Sequence, residues 1–259
     1  MPRESKLLAY LGMILTQIMR SPGSLPGIIS RIRTFMAVAR KGDRHRRAMQ
    51  ERLGMPLPFF CIFSVTWRCN LTCEGCYALN YTRKKDMSLD EICGILEECR
   101  NLGTFFFIIA GGEPLMVDGL LERIAGFRDA FFLFYTNGTL VEQHVECFRK
   151  ARNVLPVISI EGDEVHTDSR RGRGVGDSVA RAMELLRKNR VPFGFSTMIT
   201  HGNVREVTSR EWLEVLWKRG ARYGIFTDYI PFPKNLNPSF ILTDDDRAYK
   251  DEALGRRKR

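Results

Sequence analysis

From Phe59 onward, short runs of β-branched and aromatic residues alternate with stretches whose apolar positions recur every three or four residues. The runs at 59–66, 105–110, 131–136, 156–160, 194–199 and 222–229 predict strands. The stretches near 88–102, 118–127, 140–151, 176–189, 204–219 and 244–255 predict helices. The first of these helices is well marked. Ser88 and Glu91 have capping-box spacing, Ile92, Ile95, Leu96 and Leu102 make a stripe, and Gly103 is a stop. Thr243 and Asp246 mark the last helix in the same way. Strands alternating with helices predict a parallel sheet in an α/β domain. The unbroken run Phe105-Phe106-Phe107-Ile108-Ile109 means that both faces of the sheet are covered. An open doubly wound sheet and a barrel both satisfy this pattern.

The pattern before Phe59 differs. Residues 7–19 form an apolar run of 13, interrupted by Thr16 and Gln17. A membrane span needs about 20 residues, so no transmembrane helix is expected. Ser21-Pro22-Gly23 breaks the chain, and Pro26 suits a first helical turn. Ile28, Ile29, Ile32, Phe35, Met36 and Ala39 then recur at helical spacing, with Arg31, Arg33, Arg40 and Lys41 mostly elsewhere. This predicts a helix packed on the main domain. A basic helix lying on an anionic membrane or against an acidic partner is the alternative. The chain thus divides into a basic helical segment, 1–55, and a core domain, 56–259.

Charge sharpens that division. The net charge is +10, but residues 1–52 hold 11 Lys and Arg against 3 Asp and Glu, and 256–259 are all basic. The span 53–255 carries 25 basic against 27 acidic residues, so the basicity belongs to the ends. With 44% apolar and 27% charged residues the chain is neither collagenous, disordered nor a multispan membrane protein. Seven cysteines without an evident leader do not make a disulfide framework, and the cytosol is the expected compartment.

Three of those cysteines lie together. Directly after the first strand come Cys69-Asn70-Leu71-Thr72-Cys73-Glu74-Gly75-Cys76-Tyr77. Buried thiols usually occupy helix or strand core faces, as Cys93, Cys99 and Cys147 are expected to do. Three in eight residues on a loop instead suit one metal centre. Structural zinc wants four ligands, and the fourth of the usual paired spacing is missing. A cubane iron–sulfur cluster also prefers four thiolates; with three, one iron keeps an open position. The second strand is followed by Ala110-Gly111-Gly112-Glu113-Pro114, where two glycines admit close backbone approach and a carboxylate can pair with an ammonium.

The Cys69/Cys73/Cys76 spacing, with Gly-Gly-Glu-Pro after the next strand, resembles the signature of the radical S-adenosylmethionine (radical SAM) enzymes. The resemblance covers roughly 55–255. It implies a partial (β/α)6 TIM-like barrel with its site at the C-terminal face, here preceded by an N-terminal helical extension. It implies that the three cysteines hold a [4Fe–4S] cluster whose unique iron binds S-adenosylmethionine. Gly111, Gly112 and Glu113, with Pro114, would receive the methionine ammonium, Glu113 without holding the fold. An electron would come from a ferredoxin- or flavodoxin-type donor. The cleaved cofactor would give a 5′-deoxyadenosyl radical that abstracts hydrogen from an unidentified substrate, a peptide or protein being one class.

The resemblance continues downstream through Ser159-Ile160-Glu161-Gly162, His166, Asp168, Arg171 and Gly172. In peptide-modifying members the serine contacts the cofactor and an arginine twelve residues on holds its carboxylate. Ser159 and Arg171 have that spacing. The bland alternatives are a solvated arginine in a basic loop, a loop acid at Glu161 and a hydrogen-bonding His166. Thr136 and Asn137 are a turn, or face the substrate. Asn203 is expected to cap the next helix, with Glu206 three residues later. Many members carry an adenine-touching aromatic just before the third cysteine; here that residue is Gly75, and Tyr77 follows. No cysteine follows Cys147, so one cluster is expected, in a core-only or shortened enzyme. A non-catalytic zinc or iron–sulfur protein and an RNA-binding or RNA-modifying protein are the rival readings.

Overall fold

The computed structural model describes residues 25–80 and 86–255. The run 7–19, the Ser21-Pro22-Gly23 break and the tail 256–259 lie outside them. The chain runs α1 (Leu25–Leu53), β1 (Phe60–Ser64), α2 (Leu89–Asn101), β2 (Phe106–Ala110), α3 (Leu120–Ala125), β3 (Phe131–Thr136), α4 (Val141–Lys150), β4 (Val154–Ser159), α5 (Glu164–Arg171), α6 (Val175–Lys188), β5 (Phe193–Ile199), α7 (Val204–Val207), α8 (Arg210–Arg219), β6 (Ala221–Asp228) and α9 (Asp244–Gly255).

Each strand lies within two residues of its expected bounds. The helices differ in two places. The stretch 204–219 is two helices, because Ser209 starts a second one by accepting the Trp212 N–H at 3.0 Å. Helix α5 was not foreseen. Asp163 caps it, but only Thr167 is buried, so no apolar stripe reveals it.

All strand pairs are parallel and the order is β1 to β6 in sequence. A doubly wound sheet reverses its strand order. Here every crossover continues in one direction, so the connecting helices share one face and the sheet curls. β1 and β6 do not pair, which leaves a partial barrel. Alternate residues of one strand serve two cores. Phe107, Ile109, Phe132, Phe134 and Ile158 meet the helices, through residues such as Leu96 and Phe148. Phe106, Phe131 and Leu155 face inward and meet Phe35, Val38 and Ala39 of α1. That double use is why the strands read as unbroken apolar runs.

Helix α1 therefore closes the N-terminal end of the barrel. The Phe35 ring stands edge-on to Phe106 and Phe131, with centroids 6.2 and 5.2 Å away. Arg31, only 5% exposed, donates Nη2 to the carbonyls of Phe148 (2.7 Å) and Ala151 (3.0 Å) at the end of α4. Burial, with Arg152 nearby, brings its guanidinium down to about 10. The His45 ring likewise meets the Asn101 carbonyl at the end of α2. The expected stripe needs correction. Ile29 and Met36 are 39% exposed, while Val38 is buried, so the seam runs through 31, 35, 38, 39 and 46. The apolar face a membrane would take is used inside the molecule. No helix among the described residues is long and apolar enough to cross a membrane.

Phe35→Ala is expected to cost about 3–5 kcal/mol, the range for a fully buried aromatic. Denaturant titration measures it; a loss below about 1 kcal/mol would show that α1 rests on the barrel without stabilising it.

Candidate metal centre

The cysteine loop begins as β1 ends. Val65 N–H still bonds the Ala110 carbonyl at 2.9 Å, and then the chain turns outward. Asp86 fastens the base of the loop. Its carboxylate accepts from Thr66 Oγ1 (2.8 Å), Trp67 N (3.1 Å) and Arg68 Nε (2.6 Å). The loop after β2 lies directly against it. Gly112 N–H bonds Thr66 O at 2.7 Å and Glu113 N–H bonds Arg68 O at 2.8 Å. A Cβ on Gly112 would fall 2.0 Å from Arg68 O, and one on Gly111 2.3 Å from Thr66 O. Both glycines thus let two backbones touch, and at their α carbons the close neighbour is the cysteine loop.

Glu113 is fully buried. Its Oε1 accepts Leu115 N–H at 3.0 Å and its Oε2 accepts Asn137 N–H at 2.7 Å. Burial pushes its carboxyl up, against the pull of those two N–H groups. The expectation that Glu113 holds no structure is therefore corrected: it ties the β2 loop to the β3 loop. Pro114 opens the short 3₁₀ turn Pro114–Met116 that completes this corner. Asn137 then reaches the cysteine loop, with Nδ2 2.8 Å from Asn70 Oδ1 and 3.9 Å from Cys69 Sγ. Thr136 is buried, its hydroxyl accepting Gly138 N–H. Of the two residues expected to face the substrate, Asn137 thus braces the cysteine loop and Thr136 holds its own turn.

None of the seven cysteines forms a disulfide. Cys61 lies on β1, Cys93 and Cys99 on α2, and Cys147 on α4, as expected. Burial pushes the Cys69 thiol up, opposed by the Leu71 N–H on its sulfur and reinforced by Glu113, Cys73 and Cys76. Burial also pushes up Cys73, while Arg171 and Arg170 pull it down. A bound cation would relieve these crowded thiols, since metal ligation takes the thiolate form. Among the described residues, Asp163, His166 and Glu206 bring three ligand atoms within 4.8 Å of one another. Three thiol donors with no fourth on the loop suit an iron–sulfur cluster that keeps one iron open.

The other wall comes from β4 and α5. Ser159 ends β4, in register with Ser196 of β5. Glu161, 1% exposed, accepts both Arg170 and Arg171 on Oε1 and Met198 N–H on Oε2 at 3.2 Å. Burial opposes its charge, but the two arginines hold its carboxyl below the usual range. Arg171 is thus no solvated loop residue, its side chain being 11% exposed. Arg170 also binds the cysteine loop, its carbonyl accepting Glu74 N–H at 2.9 Å. Sequence reasoning missed this role of Arg170. An acid just past an apolar strand, followed by two arginines nine and ten residues on, was the available signal.

His166 behaves as the hydrogen-bonder expected, its Nδ1 lying 3.0 Å from Asp163 Oδ1 and 2.7 Å from Glu206 Oε2. Asn203 does not cap α7 through its side chain. That side chain instead accepts Thr200 N–H and donates to the carbonyls of Glu161 and Met198. At Gly75 a Cβ would lie 2.9 Å from the Tyr229 ring and 3.2 Å from Phe240. Rings that follow β6 fill the place of a side chain there, and Asn237 Nδ2 bonds Glu74 Oε1 at 2.7 Å.

Fold and loop together define an open parallel α/β barrel with a thiolate loop at its C-terminal mouth. The sequence model of the Radical SAM superfamily matches residues 63–222. The chain belongs to that superfamily, whose members are enzymes that use a [4Fe–4S] cluster and S-adenosylmethionine. Among relatives, the AdoMet-dependent heme synthase of Methanosarcina barkeri is 29% identical over 158 residues, 58% of this chain and 45% of the relative. Mycofactocin maturase MftC of Mycolicibacterium smegmatis is 27% identical over 185 residues, 69% of this chain and 46% of the relative. The structure of Streptococcus suis SuiB bound to S-adenosylmethionine superposes with a TM-score of 0.67 at 16% identity, over 83% of this chain and 52% of SuiB. The chain spans about half the length of the curated relatives it matches.

Proposed function

We propose that this chain cleaves S-adenosylmethionine reductively to remove a hydrogen atom from a peptide or protein substrate. The observation that carries the reading is the cysteine loop: Cys69, Cys73 and Cys76 at the strand ends, outside any disulfide and braced by the Gly112 and Glu113 backbone. When bound, the cluster supplies one electron to the sulfonium of S-adenosylmethionine, and the products are methionine and 5′-deoxyadenosine.

Cys69, Cys73 and Cys76 would each hold one iron. Glu113, whose two oxygens each take one backbone N–H, has lone pairs left for the methionine ammonium. Gly111, Gly112 and Pro114 set the turn that aims it. Arg171 gives Nε and Nη2 to Glu161 and keeps Nη1 for the cofactor carboxylate, beside Ser159. Thr136 and Asn137 border the space left for substrate. The spacing of Ser159 and Arg171 is what favours a peptide. A ferredoxin- or flavodoxin-type donor would supply the electron.

The test is anaerobic reconstitution with iron and sulfide, then dithionite and S-adenosylmethionine. About four irons and four sulfides per chain are expected, with 5′-deoxyadenosine formed in step with methionine. A near eight-iron stoichiometry would sink the single cluster. One tightly held colourless metal and no nucleoside would sink the reading altogether.

A further inference from the structure

Glu161, Arg170 and Arg171 form a charged group that binding the cofactor does not use up. Glu161 and both guanidinium groups are almost wholly withdrawn from water, at 1% and 11% side-chain exposure. Both arginines converge on one carboxylate oxygen, and Met198 N–H holds the other. Two cations thus face one carboxylate here, and the next carboxylate that Arg171 feels is the buried Glu113. Arg170 Nε is itself buried without a hydrogen-bond partner among the described residues.

The group sits beside the iron ligands. The Arg170 carbonyl takes the N–H of Glu74, which lies between Cys73 and Cys76 in the loop. Cys73 feels both guanidinium groups, and Arg171 in turn feels Cys73 and Cys76. A cubane on three thiolates gains one negative charge when it is reduced. In a water-poor interior a fixed neighbouring cation favours the more negative form, and charge near a cluster is one of the protein's levers on its potential.

We propose that Glu161, Arg170 and Arg171 set the reduction potential of the cluster held by Cys69, Cys73 and Cys76. Glu161 is the positioning residue: it holds both guanidinium groups beside Cys73 and cancels one of their two charges. This rests on the cluster reading above. The step affected is a single-electron reduction, with the electron taken from a chemical reductant and no proton transferred. A merely structural role, pinning α5 to β4, would also make the group sensitive to mutation. It would cost stability or iron, but it would not move the potential in opposite directions.

Opposite directions are therefore the test. The reconstituted full chain, without S-adenosylmethionine, is titrated potentiometrically while the reduced-cluster EPR signal is followed. Glu161→Gln leaves two uncompensated cations and should raise the reduced-to-oxidised ratio at fixed potential about tenfold, or about 59 mV for one electron. Arg170→Gln removes one cation and should lower the ratio by a similar factor, with Arg170→Lys returning most of it. If Glu161→Gln does not fold, the Arg170 pair decides, because the backbone bond to Glu74 survives in both. Potentials that stay together, or shift with one sign, overturn the proposal while leaving the cluster in place. Absence of any reduced-cluster signal from the wild-type chain fells the cluster reading and this proposal together.

Discussion

Cys73→Ala is expected to yield a folded chain that retains no cluster after anaerobic reconstitution and desalting, and no S-adenosylmethionine cleavage. Cys69→Ala and Cys76→Ala should do the same. Asp86, Gly112 and Glu113 fasten the loop through side-chain and backbone bonds that need no iron. Removing one thiolate should therefore delete a ligand and little else. Cys147→Ala is the matched control. That thiol lies on α4 in the outer layer, where burial and the nearby Glu122 push it up to about 12, so it offers no thiolate near neutral pH. The measurements are iron content, absorbance in the thiolate-to-iron region and far-ultraviolet circular dichroism. Bleaching by Cys147→Ala, with colour kept in Cys73→Ala, would overthrow the ligand assignment.

Gly112→Ala should be nearly as damaging, for a reason unrelated to ligation. The new methyl carbon would lie 2.0 Å from a backbone oxygen, that of Arg68, and 2.9 Å from the Trp67 carbonyl. Neither can swing away as a side chain could, so the two loops must part. Parting them breaks the bonds Gly112 N–H to Thr66 O and Glu113 N–H to Arg68 O. Each is worth about 1 kcal/mol, and groups left buried without partners cost about 1–3 kcal/mol more. A total loss of several kcal/mol and a shortened cluster lifetime against a chelator are expected. Gly94→Ala, in α2 with nothing within 4 Å of the new carbon, should instead be neutral or gain about 0.5–1 kcal/mol. Equal melting temperatures for the two variants would show that the contact between the loops is not obligatory.

Much of the scaffold was legible because its signals are local. Apolar runs such as 105–110 mark strands, and Ser88 with Glu91 forms the capping box that the spacing announces. The phase of α1 was less legible. Met36 and Val38 are equally apolar, and only the barrel's inward rings decide that Val38 and not Met36 is buried. Helix α5 escaped because its partners are charges: Glu164 to Arg171 has almost no apolar side to count. The candidate site shows the same limit. The three cysteines and the Gly-Gly-Glu turn stand out by spacing, whereas the pairing of Glu161 with two arginines nine and ten residues on is visible only after folding. Asn203 carried a cap's sequence signal, yet the carbonyls of Glu161 and Met198 claim its amide.

The aromatic floor under the sheet has a consequence for traffic. With Phe35 set against Phe106 and Phe131, and Leu155 and Ala39 beside them, nothing passes along the axis from below. The molecule is a cup and not a tunnel. Keeping a reactive species dry in a tunnel requires gates at both ends, and they must close together. Here the lower end is already filled, so a cover over the mouth above Cys69, Cys73 and Cys76 and one along the unpaired β1–β6 seam would together control water, oxygen and reactants.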